Sequence, residues 1–190
     1  AAFIPLLVMA PVARKLSDRF GKKECSIVGV AIAAFFYGLL FVLHTESATV
    51  FIVLTLLASI GMGFFNMVIW AFITDIIDYQ EVLTGSRDDG TIYAIYSFSR
   101  KLGQALAGGI GGFALGAVGY VSVQAGQPAV QQSAQTLRGI YNTLTLAPAI
   151  GYVVVLLLLV LVYPLGKKQV EANVAALRAR RAQADTDAAL

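Results

Sequence analysis

Long apolar runs separated by short polar segments form the main pattern of this chain. Each of four runs is long enough to cross a bilayer, which takes about 20 helical residues. These predicted spans are Cys25–His44, Ala48–Thr74, Thr91–Tyr120 and Leu137–Tyr163, and Ala1–Ala13 resembles the end of a fifth. The pattern predicts an all-α, polytopic transmembrane helical bundle over residues 1–165 and a polar tail over residues 166–190. Because the first run is too short to cross alone, we expect the chain to be a fragment of a longer protein.

Basic residues outside the spans occupy alternate connections, and this pattern predicts the orientation of the chain in the membrane. Arg14–Glu24, Asp75–Gly90 and the tail contain Lys or Arg, whereas Thr45–Glu46 and Val121–Gln135 contain none. Lys and Arg mark cytoplasmic connections, so we expect an integral protein of the bacterial inner membrane with a cytoplasmic C-terminus. The net charge of +3 and pI of about 9.1 do not indicate nucleic-acid binding, because the charges lie at the ends of spans rather than on one folded face.

Two adjacent cations, Arg100 and Lys101, interrupt the glycine-rich span Thr91–Tyr120. A charge within a membrane span is costly unless it faces a polar cavity or a partner. Tyr93, Ser97, Lys101, Gln104 and Gly108 share one helical face, and Arg100 is rotated about 100° from Lys101. The pair therefore indicates a transport pathway or a buried salt bridge between two halves of a protein.

Two further spans carry patterns that leave alternatives open. Ser59, Gly63, Asn66, Trp70 and Thr74 share one face, which is typical of either a cavity wall or a helix–helix contact. For Asn66 the two are balanced, and for Trp70 the contact is favoured. The repeat of Gly108, Gly112 and Gly116 predicts close helix packing, or alternatively a hinge.

An acidic tract follows the span Ala48–Thr74 and ends in a turn at Thr84-Gly85. Asp75, Asp78 and Glu81 recur every three residues, so a helix continued beyond Thr74 would bring them to one face. Together with Arg87 they predict ion pairs that open and close at the cytoplasmic mouth. The alternatives are a solvated loop and a metal site, and the second lacks a supporting His.

The tract D-x-x-D-Y-x-E-x-x-T-G-x-R-x-x-G, from Asp75 to Gly90, followed by a lysine one third of a span later, resembles the glycoside–pentoside–hexuronide:cation symporters. These are melibiose-permease-like members of the major facilitator superfamily. The tract residues that carry the resemblance are Asp75, Asp78, Tyr79, Glu81, Thr84, Gly85, Arg87 and Gly90. Asp18 and Arg19, with Gly21-Lys22-Lys23, also resemble the superfamily loop G-x-x-x-D-R-x-G-R-K, although Arg14 replaces its first glycine.

The resemblance implies the C-terminal half of a sugar:cation symporter, with part of helix eight and helices nine to twelve. It implies alternating access between two six-helix bundles, with the sugar bound between them. It places Tyr96, Ser97, Arg100 and Lys101 near the sugar, and Lys101 and Ser97 near the coupling cation. Asn66 and Gln104 complete the predicted substrate-binding set. Arg100 replaces an apolar residue of the melibiose-type pattern and Asn66 replaces a Trp, so melibiose itself is not the expected substrate.

The expected partners are a small sugar or glycoside, membrane lipid and an N-terminal half of the same protein, which is predicted to be monomeric at full length. Na⁺ or H⁺ would be co-transported, held by carboxylates outside this chain, and no resident cofactor or metal is expected. Arg100 is predicted either to bind the carboxylate of a uronide or to anchor the cytoplasmic side. The competing classes are a superfamily transporter of another solute, such as a drug or peptide, and a membrane enzyme or signalling protein. No nucleophile–base pair supports an enzyme.

Overall fold

The described part of the chain contains six α-helices. The computed structural model describes residues 3–122 and 130–187, with side chains from Pro11 onwards except that of Val12. All regular structure within these ranges is helical, as predicted. Part of the predicted outer loop, residues 123–129, lies outside the described residues. The helices are α1 (Phe3–Phe20), α2 (Lys22–Leu43), α3 (Ala48–Thr84), α4 (Asp89–Ala117), α5 (Ala134–Leu157) and α6 (Lys167–Asp187), and a π-helical turn at Leu158–Val162 extends α5.

The buried core lies around α2, which packs along both α3 and α5. Val30 and Leu40 of α2 are fully buried, and Phe64, Val68 and Phe72 of α3 pack against the same core. The two helices approach most closely where glycines face each other. A Cβ atom at Gly29 would lie 2.7 Å from the Gly61 carbonyl oxygen. Small residues at a crossing let two backbones come into contact, which is a main source of helix association in lipid.

The predicted close packing of Gly108, Gly112 and Gly116 is not observed among the described residues. A Cβ atom at any of these three glycines would meet nothing within 4 Å. None of the residues of α4 is buried, and the helix contacts α3 near its own start and α5 near its own end. Spacing identified a row of small residues but could not identify a helix opposite to it.

Three helical segments of the described chain are long and apolar enough to cross a membrane: 22–43, 48–84 and 134–162. The remaining predicted span, Thr91–Tyr120, forms a helix of 29 residues, α4, but does not belong to this group. It is long enough, at roughly 1.5 Å per residue, but its cations lower its mean hydropathy. The total of four complete spans therefore remains a prediction, and α4 is the most polar of the four.

The predicted loop Arg14–Glu24 is almost entirely helical, which corrects the sequence interpretation. Helix α1 continues to Phe20 and α2 begins at Lys22, so a single residue, Gly21, joins them. Gly21 has a φ of 102°, a conformation that glycine adopts without steric cost. Its N–H donates to the Ser17 carbonyl oxygen at 2.9 Å and completes the last turn of α1.

The polar tail forms a helix that lies against the bundle. This helix, α6, runs from Lys167 to Asp187 and packs against α3 and α2. Leu177 is 4% exposed and Asn173 is buried beside it. Helix α5 continues through Pro148 and Gly151 and departs from α geometry at the π-helical turn.

Candidate functional site

The corner between α3 and α4, residues 78–91, gathers the acidic tract around one arginine. Helix α3 does continue beyond Thr74, as the spacing required, and ends at Thr84 with Gly85 in the left-handed conformation. The chain then turns back, and Arg87 Nη1 donates to Asp78 Oδ1 and Glu81 Oε2, both at 2.9 Å. Arg87 Nε donates to Asp89 Oδ2 at 3.1 Å. We call these four residues the Arg87 cluster.

The Arg87 cluster joins the end of α3 to the start of α4. Hydrogen bonds from the guanidinium to Asp78, Glu81 and Asp89 raise the pKa of Arg87 above its already high ordinary value. The cluster contains three carboxylates and one guanidinium, so two negative charges remain to attract a further cation. Charge-assisted hydrogen bonds of this kind are about twice as strong as neutral ones, and they fix the corner in one shape.

Asp75 does not share the face of Asp78 and Glu81, in contrast to the prediction. Its Oδ1 accepts from Lys22 Nζ at 2.6 Å, and its side chain is only 6% exposed. Each three-residue step along an α-helix rotates by about 300°, so Asp75 and Glu81 point about 120° apart. Asp75 therefore joins α3 to the start of α2, whereas the Arg87 cluster joins α3 to α4.

The remaining polar residues of the tract stabilise the corner. Thr84 Oγ1 donates to the Gln80 carbonyl oxygen at 3.0 Å, and Gln80 Oε1 accepts from the Asp88 N–H at 3.3 Å. Asp88 caps α4 by accepting from the Thr91 N–H at 3.1 Å. Hydrogen bonds from the Thr91 side chain and backbone lower the pKa of Asp88 below its ordinary value. Gly90 lies in the first turn of α4, and Tyr79 is half-buried on α3.

Asp18 and Arg19, at the end of α1, lie outside these ion pairs. Both side chains are exposed. Asp18 Oδ2 lies 3.8 Å from Arg14 Nε, and the Arg19 guanidinium lies 5.3 Å from the ring centre of Phe20. Their backbone carbonyl oxygens accept instead from Lys167 Nζ, at 3.0 and 2.9 Å. These two positions therefore contact α6 through their backbone.

The predicted substrate-binding residues of α4 line one face of that helix. Taking Gln104 as the centre, Ser97 and Lys101 lie within about 60° on one side and Arg100 within about 40° on the other, at 100° per residue. Arg100 and Lys101 therefore flank Gln104 on a single polar face. The opposite face is apolar, and its members are Ile95, Leu102, Leu106 and Phe113.

A ring contact between Trp70 of α3 and Tyr96 of α4 shows which turns of the two helices lie side by side. The ring centres are 5.4 Å apart and the rings meet edge to face. Asn66 lies one turn before Trp70 on α3 and Arg100 lies one turn after Tyr96 on α4. Because the two helices run in opposite directions, Asn66 and Arg100 lie at the same level. The structure thus brings two of the predicted substrate residues, Arg100 and Asn66, to one level, and a third, Tyr96, lies one turn away beside Trp70.

These polar side chains are not used to hold the described chain together. Ser97, Arg100, Lys101 and Gln104 are exposed. Neither Arg100 nor Lys101 forms a hydrogen bond or an ion pair with any other described residue. Asn66 is also exposed and donates through Nδ2 to the Met62 carbonyl oxygen of its own helix, at 3.1 Å. The arrangement offers two cations, an amide and an indole edge to a ligand or a partner.

Sequence reasoning missed the contacts that come from α6 and from the start of α2. Lys22 appeared only as a matched loop residue, and Arg180 and Arg181 only as part of a polar tail. Arg181 Nη2 lies 3.6 Å from Glu81 Oε2, so α6 reaches the Arg87 cluster. The sequence offered one signal, the Arg180-Arg181 pair, but no spacing rule indicates which helix a tail will contact.

Comparison with known proteins adds a family and several bacterial relatives. Residues 1–167 match the family described as MFS/sugar transport protein. The chain is 37% identical over 155 residues to the uncharacterized symporter YjmB of Bacillus subtilis (strain 168), covering 82% of this chain and 32% of that protein. It is 34% identical over 160 residues to the glucuronide carrier protein homolog of Escherichia coli (strain K12), covering 84% and 34%.

A third relative carries a different substrate name. The chain is 30% identical over 140 residues to the isoprimeverose transporter of Lactiplantibacillus pentosus, covering 72% of this chain and 27% of that protein. The chain thus spans about a third or less of the length of each of these relatives.

Proposed function

Because the chain belongs to the MFS/sugar transport family, an integral membrane transporter family, we propose that it forms one side of the pathway of a sugar:cation symporter. On this proposal α1 to α5 belong to the second of two bundles, and the remainder of a longer protein faces them. The C-terminus lies in the cytoplasm, because the basic connections share its side of the membrane. Relatives named as carriers and transporters favour transport over an enzymatic activity.

One observation carries the proposal: the polar face of α4 has no partner in the described chain. Arg100 and Lys101 are exposed on a helix without a buried residue. An ionised side chain facing lipid costs several kcal/mol, so this face would turn away from lipid toward a water-filled path. A facing bundle would supply the opposite wall.

The substrate that suits this face best is a sugar with an acidic group. A planar guanidinium binds a carboxylate through two parallel hydrogen bonds, and Lys101 adds a second positive charge on the same face. Asn66 lies at the same level and offers an amide to sugar hydroxyls, while the exposed indole of Trp70 suits stacking on a sugar ring. The relative named as a glucuronide carrier protein homolog supports the same class, hexuronides.

A paired uptake measurement tests the acidic substrate. Full-length protein in vesicles would be given a glucuronide and the matching uncharged glucoside, with and without Arg100→Gln. Removing a charge-assisted hydrogen bond costs about 1.5–3 kcal/mol, so we expect KM for the glucuronide to rise roughly 10-fold or more. The KM for the glucoside should change little. Arg138→Gln, an exposed arginine at the start of α5, is the matched control for the loss of charge.

Two outcomes would contradict this substrate assignment. One is an Arg100→Gln variant that keeps its preference for the glucuronide. The other is an equal loss of uptake for the charged and the uncharged sugar, which would make Arg100 a structural residue.

Cation coupling is a separate part of the proposal. The four predicted spans contain no Asp or Glu, so carboxylates that bind Na⁺ or H⁺ would be supplied by the facing bundle. Lys101 would be their counter-charge, and cation and sugar would favour the same closed arrangement. Uptake with and without a Na⁺ gradient and a pH gradient would identify the cation. Lys101→Ala should abolish the dependence on that gradient, and unchanged gradient-driven uptake would refute the role of Lys101.

A neutral disaccharide is the second candidate substrate. The isoprimeverose transporter is a relative at a similar level of identity, and Asn66 with Trp70 suits an uncharged sugar. On this alternative Arg100 would bind the facing bundle rather than the substrate. The same paired uptake measurement separates the two, because Arg100→Gln would then lower the uptake of both sugars in equal proportion.

A further inference from the structure

Two side chains of α6 donate hydrogen bonds to the terminal carbonyl groups of other helices, Lys167 in its first turn and Arg180 two turns before its last residue. Near its start, Lys167 Nζ donates to the Asp18 and Arg19 carbonyl oxygens in the last turn of α1, at 3.0 and 2.9 Å. Near its end, Arg180 Nη1 and Nη2 donate to the Glu81 and Val82 carbonyl oxygens in the last turn of α3, at 3.2 and 3.1 Å. Carbonyl groups in a last helical turn have no N–H partner further along their own helix and carry its negative partial charge. The Glu81 carbonyl oxygen also accepts from the N–H of the capping residue Gly85, at 3.0 Å.

Side-chain charges add to both contacts. Glu24 Oε1 accepts from the Lys167 backbone N–H at 3.2 Å, which places an anion at the positive end of α6. At the other end, Arg181 Nη2 lies 3.6 Å from Glu81 Oε2. This is the further cation that the two excess negative charges of the Arg87 cluster attract.

The middle of α6 is also held in place. Leu177 and Asn173 are buried, so the helix rests on the bundle between its two charged ends. Lys167 and Arg180 are separated by about 20 Å along the helix, at 1.5 Å per residue. A helix is stiff over this length, so it keeps its two contacts at a fixed separation.

We propose that α6 is a brace that fixes the end of α1 relative to the end of α3 and so positions the Arg87 cluster. Arg180 and Lys167 are its positioning residues, since neither reaches the polar face of α4. Asp78 and Glu81 lie in the braced last turns of α3, so a loosened brace would let the α3–α4 corner move. The inference concerns the arrangement of helices and goes beyond which solute is carried.

A distance measurement between α3 and α6 tests the brace independently of uptake. Nitroxide labels would be attached to cysteines introduced by Leu83→Cys and Gln183→Cys in full-length protein carrying Cys25→Ser. Both label positions are exposed. We expect one narrow distance distribution, and Arg180→Gln should widen it about twofold, as local release of a helix end requires. Arg178→Gln is the matched control, because Arg178 is exposed and forms no hydrogen bond or ion pair with another described residue.

A second pair of labels tests the start of α6 and distinguishes local release of the helix from misfolding of the protein. With Lys15→Cys and Lys168→Cys, Lys167→Gln should widen the distribution while Arg180→Gln leaves it narrow. Arg180→Lys should restore part of the narrow α3–α6 distribution, because an ammonium group can donate to the same two carbonyl oxygens. Distributions unchanged by Arg180→Gln and Lys167→Gln, or equal widening by Arg178→Gln, would overturn the brace.

Discussion

Arg87 shows how one side chain sets the shape of a connection. Its guanidinium donates to carboxylates from the end of α3 and the start of α4, so the helices on both sides of the turn are bound to the same group. Lys cannot replace it at equal strength, because a single ammonium lacks the planar fork that contacts separate carboxylates in fixed directions. At the scale of the residue, the corner depends on the geometry of guanidinium as much as on its charge.

Asp75 and Lys22 form the more deeply buried ion pair, and its loss should destabilise the protein. Lys22→Met would leave the Asp75 carboxylate buried without a partner, an arrangement that costs up to about 3–5 kcal/mol when fully buried. Lys22 retains 31% of its side-chain exposure, so we expect about 1–3 kcal/mol here. The thermal midpoint of the purified protein should fall accordingly.

Two further variants show whether the effect belongs to the ion pair. Lys15→Met removes an exposed lysine of α1 that forms no ion pair with a described residue, and it should leave the midpoint nearly unchanged. Adding Asp75→Asn to Lys22→Met should recover part of the loss, because the buried charge is gone. Equal losses from Lys22→Met and Lys15→Met would show that the pair does not contribute.

Among the elements, α2 and α3 define the bundle through one close contact at Gly29 and Gly61. A Cβ atom at Gly61 would overlap with the Gly29 carbonyl oxygen, whereas one at Gly63 would meet nothing within 4 Å. Gly61→Ala should therefore push the helices apart and cost about 1–3 kcal/mol. Gly63→Ala should be neutral or stabilising by up to about 1 kcal/mol, since alanine favours helix.

Thermal unfolding of the two variants in the same detergent compares these glycines directly. The midpoint for Gly61→Ala should lie below that of the unsubstituted protein, and the midpoint for Gly63→Ala at or above it. If both variants unfold at the same temperature, the helices do not rely on the Gly29–Gly61 contact.

Sequence patterns predicted the helices better than the contacts between them. Apolar runs located the helices, but the span predicted to end at Thr74 continues as α3 to Thr84. The predicted ion pairs between the acidic tract and Arg87 are present. The same pattern grouped Asp75 with Asp78, because a three-residue spacing conceals a rotation of about 60° at each step. The glycine repeat indicated Gly108, whereas the closest contact is Gly29–Gly61. A spacing describes one helix and contains no information on which helix lies opposite.

The same limit applies to the substrate residues. Helical periodicity placed Lys101, Ser97 and Gln104 on one face, and the uninterrupted α4 agrees with that placement. The common level of Asn66 and Arg100 required the Trp70–Tyr96 contact, which joins residues of two helices. Their roles in binding remain predictions, because they depend on a facing wall that these helices do not provide.

At the scale of the whole molecule, α4 is the element that a longer protein would have to cover. Gln104 lies on its polar face. Leu106 lies two residues later, about 200° around the helix, on its apolar face. If the polar face lines a water-filled path and the apolar face meets lipid, cysteines at the two positions should differ in reactivity. In full-length protein carrying Cys25→Ser, Gln104→Cys should react with a membrane-impermeant maleimide many times faster than Leu106→Cys.

Substrate protection completes this prediction. Saturating sugar should slow the labelling of Gln104→Cys, because a bound ligand or a closed pathway excludes the reagent, and should leave Leu106→Cys unaffected. Equal reactivity at the two positions would mean that α4 does not separate water from lipid in the assembled protein. Faster labelling at Leu106→Cys would reverse the orientation of α4, and would place Arg100 and Lys101 against another helix instead of along the path of the sugar.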